Sequence, residues 1–248
     1  MTRRTTDFGF ERVPLEDKAR RVGSVFTSVA DRYDLMNDIM SFGVHRLWKR
    51  FVIEIAGVRE GHKVLDVAGG TGDLAAKFAQ RVGAAGMVVL ADLNAEMLGV
   101  ASNRLVDSGV LEGVAFVQAD AESIPFADNS FDVVTIAFGL RNVTRKERAL
   151  ESMLRVLRPG GQLLVLEFSR LRVPFLDPLY RAYLMNAIPR MGRIVAGDSA
   201  SYRYLAESIQ MHPPQEKLLE MLCEAGFENC GCHNLSGGIA AVHRGYKL

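Results

Sequence analysis

The chain reads as an α/β protein: a doubly wound, mostly parallel seven-stranded sheet that closes on a C-terminal antiparallel hairpin, preceded by an N-terminal helical lid. Three observations give this. Residues 63–74, KVLDVAGGTGDL, pass from a β-branched strand through glycines into a helix. Four more strand-like runs follow, with amphipathic helical stretches between several of them. The chain then ends in two strand-like runs joined by Ser236-Gly237-Gly238, a hairpin link.

Residues 1–14 are polar and charged, end at Pro14 and are expected to be mobile. Residues 15–56 carry a helical pattern broken near residues 41–43, which fits three apolar-faced helices forming an extra covering layer. A strand over residues 63–67 meets Gly69, Gly70 and Gly72, and residues 73–80 read as a helix with Leu74 and Phe78 facing the sheet. A second strand over residues 87–93 contains Asp92, and residues 94–108 form the next helix. A third strand, residues 114–118, runs into Asp120-Ala121-Glu122. The fourth, FDVVTIAF, covers residues 131–138. A helix over residues 145–157 is stopped by Arg158-Pro159-Gly160-Gly161 before the fifth strand at residues 162–168. Residues 170–208 are too long for a simple crossover and form a helical insertion. A helix over residues 213–224 and strands near residues 227–235 and 238–246 complete the chain. Residues 1–56 are thus expected as a lid within the same domain, and residues 57–248 as the ligand-binding part.

The 248 residues are 48% hydrophobic, enough for a sizeable core, and the net charge of +1 predicts no attraction to nucleic acid. Cys223, Cys230 and Cys232, odd in number and clustered late, argue for a reducing compartment rather than a disulfide framework. Cys230, Cys232 and His233 lack a second ligand pair, so no metal is expected. No apolar stretch is long enough to span a bilayer, and residues 1–12 lack an apolar signal core. The expectation is a cytoplasmic protein that touches a membrane surface.

Residues 70–75 fit the G-x-G-x-x-G/A fingerprint, which by itself admits either a dinucleotide or another adenosine cofactor. Asp73 at the helix start would repel a pyrophosphate and tolerate a cation such as S-adenosylmethionine. Its other reading is a plain helix cap. Asp92, twenty residues past Gly72, stands where a carboxylate takes a ribose diol. Five βα units with a terminal hairpin fit the methyltransferase form of the sheet. An NAD-dependent oxidoreductase and a non-catalytic cofactor-binding assembly protein are the alternatives.

Further runs narrow the choice. Residues 33–41, YDLMNDIMS, followed by His45 and Trp48, and residues 155–161, RVLRPGG, continuing to Glu167-Phe168-Ser169, join VLDVAGGTGD, FGLRNV and YRYLAESI. Together they closely resemble the quinone-biosynthesis C-methyltransferases, over residues 25–246. The resemblance implies a class I S-adenosylmethionine-dependent C-methyltransferase that acts on a prenylated hydroquinone ring in ubiquinone and/or menaquinone biosynthesis, either as a homodimer or within a quinone-biosynthesis complex. It implies cofactor contacts at Thr71, Asp92, Asp120 and Ala121, beside the turn glycines Gly70 and Gly72. Relatives often have Asn at position 120 and Ser at position 137, where this chain has Asp120 and Ala137.

The implied reaction puts a methyl group on an electron-rich ring carbon, made nucleophilic by deprotonating a ring hydroxyl. Arg141 and Asn142, just past the fourth strand, are the first candidates, with Arg141 stabilising the phenolate or orienting a water that takes the proton. Its other reading is a surface salt bridge. Tyr33 and Asn37 share a helix face and are candidates to hydrogen-bond a quinol oxygen or the cofactor. His45 is a candidate base, although packing is the favoured reading for His45 and Trp48. Between residues 170 and 193, Phe175, Leu176, Tyr180 and Leu184 interleave with Arg172, Arg181, Arg190 and Arg193. That pattern suits a lipid interface or an ordinary helix packed on the core.

Overall fold

A computed structural model of the protein describes residues 5–30, 33–110, 112–173 and 175–248; the side chains of Tyr33, Asp34, Met36, Ile39, Asp177, Val195 and Ala196 lie outside the described set. The chain opens with a β-hairpin, β1 (Thr5–Phe8) and β2 (Glu11–Pro14). Three helices follow: α1 (Leu15–Val29), α2 (Tyr33–Ser41) and α3 (His45–Ile55). The alternating part is β3 (Lys63–Val67), α4 (Asp73–Val82), β4 (Met87–Asp92), α5 (Ala95–Asp107), β5 (Val114–Gln118), β6 (Phe131–Ala137), α6 (Lys146–Val156) and β7 (Leu157–Phe168). The insertion holds α7 (Asp177–Ala182), a π-helical turn (Tyr183–Ala187), α8 (Ile188–Ala196) and α9 (Ser199–Met211). Then come α10 (Gln215–Glu224), β8 (Glu228–Leu235) and β9 (Ala240–Tyr246).

The seven-stranded sheet has the order β5-β4-β3-β6-β7-β9-β8, with β9 antiparallel to both neighbours. Alternation along β3 explains why helices cover both faces. Val64 packs on one side with Val52 of α3, Phe78 of α4 and Met97 of α5. Leu65 and Val67 pack on the other with Leu150 of α6 and Leu218 of α10. Parallel strands buried on both faces read as continuous apolar runs, which is why MVVLAD and FDVVTIA were recognisable.

Two sequence expectations change. Residues 5–14 form a hairpin docked on the body: the Phe10 N–H donates to Glu207 on α9, and Phe8 stacks on Tyr204, centroids 4.2 Å apart. Charge had hidden an apolar face. The RPGG run does not separate helix from strand. β7 begins at Leu157, opposite Phe131, bulges over residues 158–161 and resumes pairing at Gln162. A Cβ on Gly161 would meet the carbonyls of Arg158 and Asp132 at 2.9 Å, so the bulge closes only around glycine.

Candidate active site

From β3 the chain runs outward through β4 to β5, then returns to the far side of β3 as β6. The crevice of such a sheet opens at this reversal, beyond the carboxyl ends of β3 and β6. Both strands leave it through a left-handed residue that is not glycine, Ala68 (φ 51°) and Phe138 (φ 56°). A cavity of about 680 Å³ lies here, within the range of small-molecule sites. Its lining comes from α1 (Leu15, Ala19, Val22, Phe26), the β3 turn (Ala68, Gly70), the end of β4 (Asp92) and the loop after β6 (Phe138, Gly139, Asn142).

The three turn glycines do different jobs. Gly70 (φ 57°) lines the cavity. Gly72 (φ 81°) does not; a Cβ there would meet Leu105 of α5 at 2.8 Å and Leu90 of β4 at 3.2 Å, so it serves close packing. A Cβ on Gly69 would meet Leu90 at 2.7 Å. Thr71 is buried, outside the lining, and its hydroxyl accepts from Arg104, 3.2 Å away.

Asp92 accepts the Gly70 N–H (3.0 Å) and the Asn94 N–H (2.9 Å). Burial raises its carboxyl above the ordinary range, and those backbone donors oppose the rise. A carboxylate so placed on a cavity wall has acceptor capacity left for two hydroxyls, so the residues fit a ribose. Asp120 and Ala121 also line the cavity, and Asp120 Oδ1 accepts the Glu122 N–H at 2.9 Å. Sequence reasoning passed over Asn94. Its Oδ1 caps α5 through the Glu96 N–H (2.9 Å), while Nδ2 donates to Thr27 (3.0 Å), fastening α1 over the cavity. An Asn just before a helical run was the available signal.

Asp73 neither faces the cavity nor caps α4. It is clamped by Lys49 and Arg104, each at 2.6 Å. Burial alone would raise its pKa, but the two cations hold it below the usual value. The charge meant to turn away a pyrophosphate is therefore neutralised, and the antiparallel β9 is the stronger mark against a dinucleotide fold.

Asn142 lines the cavity, but Arg141 does not. The Arg141 side chain is fully enclosed, with Nη1 on Glu167 at 2.8 Å and the guanidinium over the Phe168 ring at 5.5 Å. It is a buried ion pair, not a surface one, and Nε and Nη2 have no hydrogen-bond partner among the described residues. Nη1 also donates to the Phe138 carbonyl, bracing the loop that carries Asn142. Asn142 Oδ1 accepts the Tyr204 hydroxyl at 3.0 Å, a contact between α9 and the cavity wall that no sequence spacing announces. Tyr33 begins α2, and its side chain lies outside the described residues. Asn37 is buried with both amide atoms unpartnered among the described residues. His45 is buried away from the lining, Nε2 against Asp38 at 3.0 Å; burial and nearby Lys49 pull its pKa down to about 4, which makes it a weak base. Trp48 is packed on Phe138 and Phe168, its N–H on Ser236 at 2.9 Å. Among the described residues no three His, Cys, Asp or Glu side chains form a metal-holding group.

The sheet order with this crevice defines the class: an S-adenosylmethionine-dependent methyltransferase fold. A methyltransferase of that type from Aquifex aeolicus superposes with a TM-score of 0.62 at 19% identity, covering 86% of this chain and 97% of its own. The [4+2]-cyclase SpnF does so with a TM-score of 0.67 at 19% identity, covering 92% and 96%, which shows that the fold by itself does not set the reaction. Sequence goes further. The ubiE/COQ5 methyltransferase family model matches residues 15–247, and the chain belongs to that family. A relative from Cellvibrio japonicus, named ubiquinone/menaquinone biosynthesis C-methyltransferase UbiE, is 59% identical over 99% of this chain and 98% of its own length. A relative of the same name from Azotobacter vinelandii is 60% identical over 99% and 97%.

Proposed function

We propose that this methyltransferase alkylates a ring carbon of a prenylated hydroquinone, in ubiquinone and/or menaquinone biosynthesis. One observation supports the reading: a single cavity holds the Asp92 carboxylate on one wall and the Asn142 amide beside the aromatic Phe138 on another. S-adenosylmethionine, when bound, supplies an electrophilic methyl group. Asp92 takes the ribose hydroxyls, and Asp120 at the rim takes an amine of the base. Asn142 donates to the ring oxygen once its hydroxyl proton has passed to a solvent water, Arg141 and Glu167 hold the loop of Asn142 in place, and α1 with Phe26 covers the cavity. Gly72 lets the turn pack closely on α5, Thr71 belongs to that same turn, and His45 packs. The isoprenoid tail implies contact with a lipid surface, which the exposed side chains around α7 and α8 suit.

Purified protein with methyl-labelled S-adenosylmethionine and a chemically reduced, short-tailed 2-prenyl-naphthoquinol or methoxybenzoquinol is expected to give a ring-methylated product by mass spectrometry. Asp92→Ala should weaken cofactor binding by about 10- to 100-fold, the loss of charged hydrogen bonds. Label transfer to neither ring would overturn the assignment.

A further inference from the structure

An amide can face a cavity by either end, and the two ends have opposite chemistry: the NH₂ group donates and the oxygen only accepts. We propose that Tyr204 is a positioning residue that decides this for Asn142. The inference rests on the reading of Asn142 given above. Tyr204 belongs to α9, 62 residues further along the chain, and its hydroxyl donates to Asn142 Oδ1 at 3.0 Å. Nδ2 is left to make a long 3.5 Å contact with the Phe138 carbonyl and to meet a ligand. The tyrosine is itself held. Its ring is buried and stacked on Phe8 of the N-terminal hairpin at an interplanar angle of 20°. Burial keeps the phenol protonated, hence a donor; Arg141 and Glu167, the charged groups acting on it, pull in opposite directions. With the amide oxygen occupied, only the donor end is free to stabilise a ring phenolate. Without the hydroxyl the amide is free to turn its oxygen toward that negative charge.

Tyr204→Phe keeps the ring and its stacking and removes only the anchor. The expected result is a kcat about tenfold lower, the worth of one such hydrogen bond, with S-adenosylmethionine affinity unchanged by calorimetry. The acidic limb of the kcat–pH profile should move up by about one unit, because a less stabilised phenolate forms at higher pH. Asn142→Ala should lose at least as much, and adding Tyr204→Phe to it should cost nothing more. Asn142→Asp, which keeps an acceptor for Tyr204 but has no N–H, should be no better than Asn142→Ala. A Tyr204→Phe enzyme with wild-type kcat and pH profile, beside an impaired Asn142→Ala, overturns this inference alone. Additive losses in the double variant also overturn it, since they mean that Tyr204 acts by packing. An unimpaired Asn142→Ala overturns the role of Asn142 and this inference with it.

Discussion

Asp66 lies fully buried on β3 beneath the glycine turn, with Oδ1 accepting the Thr135 hydroxyl at 2.7 Å. Burial pushes its carboxyl up to about 7, against the pull of that hydrogen bond. The folded protein therefore keeps a proton that the unfolded chain releases above about pH 4. Stability from this group is present at low pH, is lost as pH rises toward 7, and amounts to about 4 kcal/mol. Asp66→Asn retains an acceptor for Thr135 without the titration. Urea midpoints should show the variant gaining on the wild type between about pH 4 and 7 and holding level above that; parallel curves would refute the account. At this scale the sequence was an uneven guide. The position of Asp92 on the cavity wall was legible because the spacing from turn to strand end is fixed by the βαβ unit. Arg141 was misjudged as a surface residue in its alternative reading because its partner, Glu167, is contributed by the neighbouring strand.

At the scale of elements, the insertion shows how strictly one glycine can set a packing distance. A Cβ on Gly192 of α8 would lie 2.3 Å from the Tyr202 ring of α9, a fully buried side chain. Alanine favours a helix by about 1 kcal/mol over glycine, but overpacking costs about 1–3 kcal/mol or more, and this clash is with a ring that has no room to retreat. Gly192→Ala should therefore be destabilising, read as a lower urea midpoint with an unchanged m-value; a more stable variant would show that α8 and α9 slide apart freely. Strand and helix limits in the alternating part were legible within a residue or two, except the start of β7 at Leu157 rather than Gln162, because period and turn chemistry are local. The N-terminal hairpin was not, because what orders it lies on α9 and α1.

For the whole molecule, no helix among the described residues is long and apolar enough to cross a membrane. A partly apolar face is nevertheless open. Phe42 (76% exposed) stacks on Tyr183 between α7 and α8; Phe175 (79%) is exposed just before α7, Leu179 (68%) and Ile194 (83%) are exposed on α7 and α8, and Arg190 and Arg193 are exposed beside them. Of the apolar side chains the sequence nominated there, Leu184 is buried and Tyr180 is largely so, which leaves Phe175 and Leu176. Wild-type protein should co-float with vesicles containing anionic lipid, and Phe42→Ser with Ile194→Ser should reduce the bound fraction several-fold at unchanged stability. Failure of the wild type to float would remove the lipid surface from the proposal.

The sequence by itself determined the sheet, the glycine turn, the Asp92 carboxylate and the family, because each is written in local periodicity or in a short motif whose spacing the chain cannot alter. Only the tertiary structure decided which of those residues share a cavity. It set Asp73 between two cations, closed Arg141 against Glu167, and brought Tyr204 to Asn142. The reason is physical: the charge a group carries and the end of an amide it presents depend on neighbours distant in sequence, and burial is what makes those neighbours count.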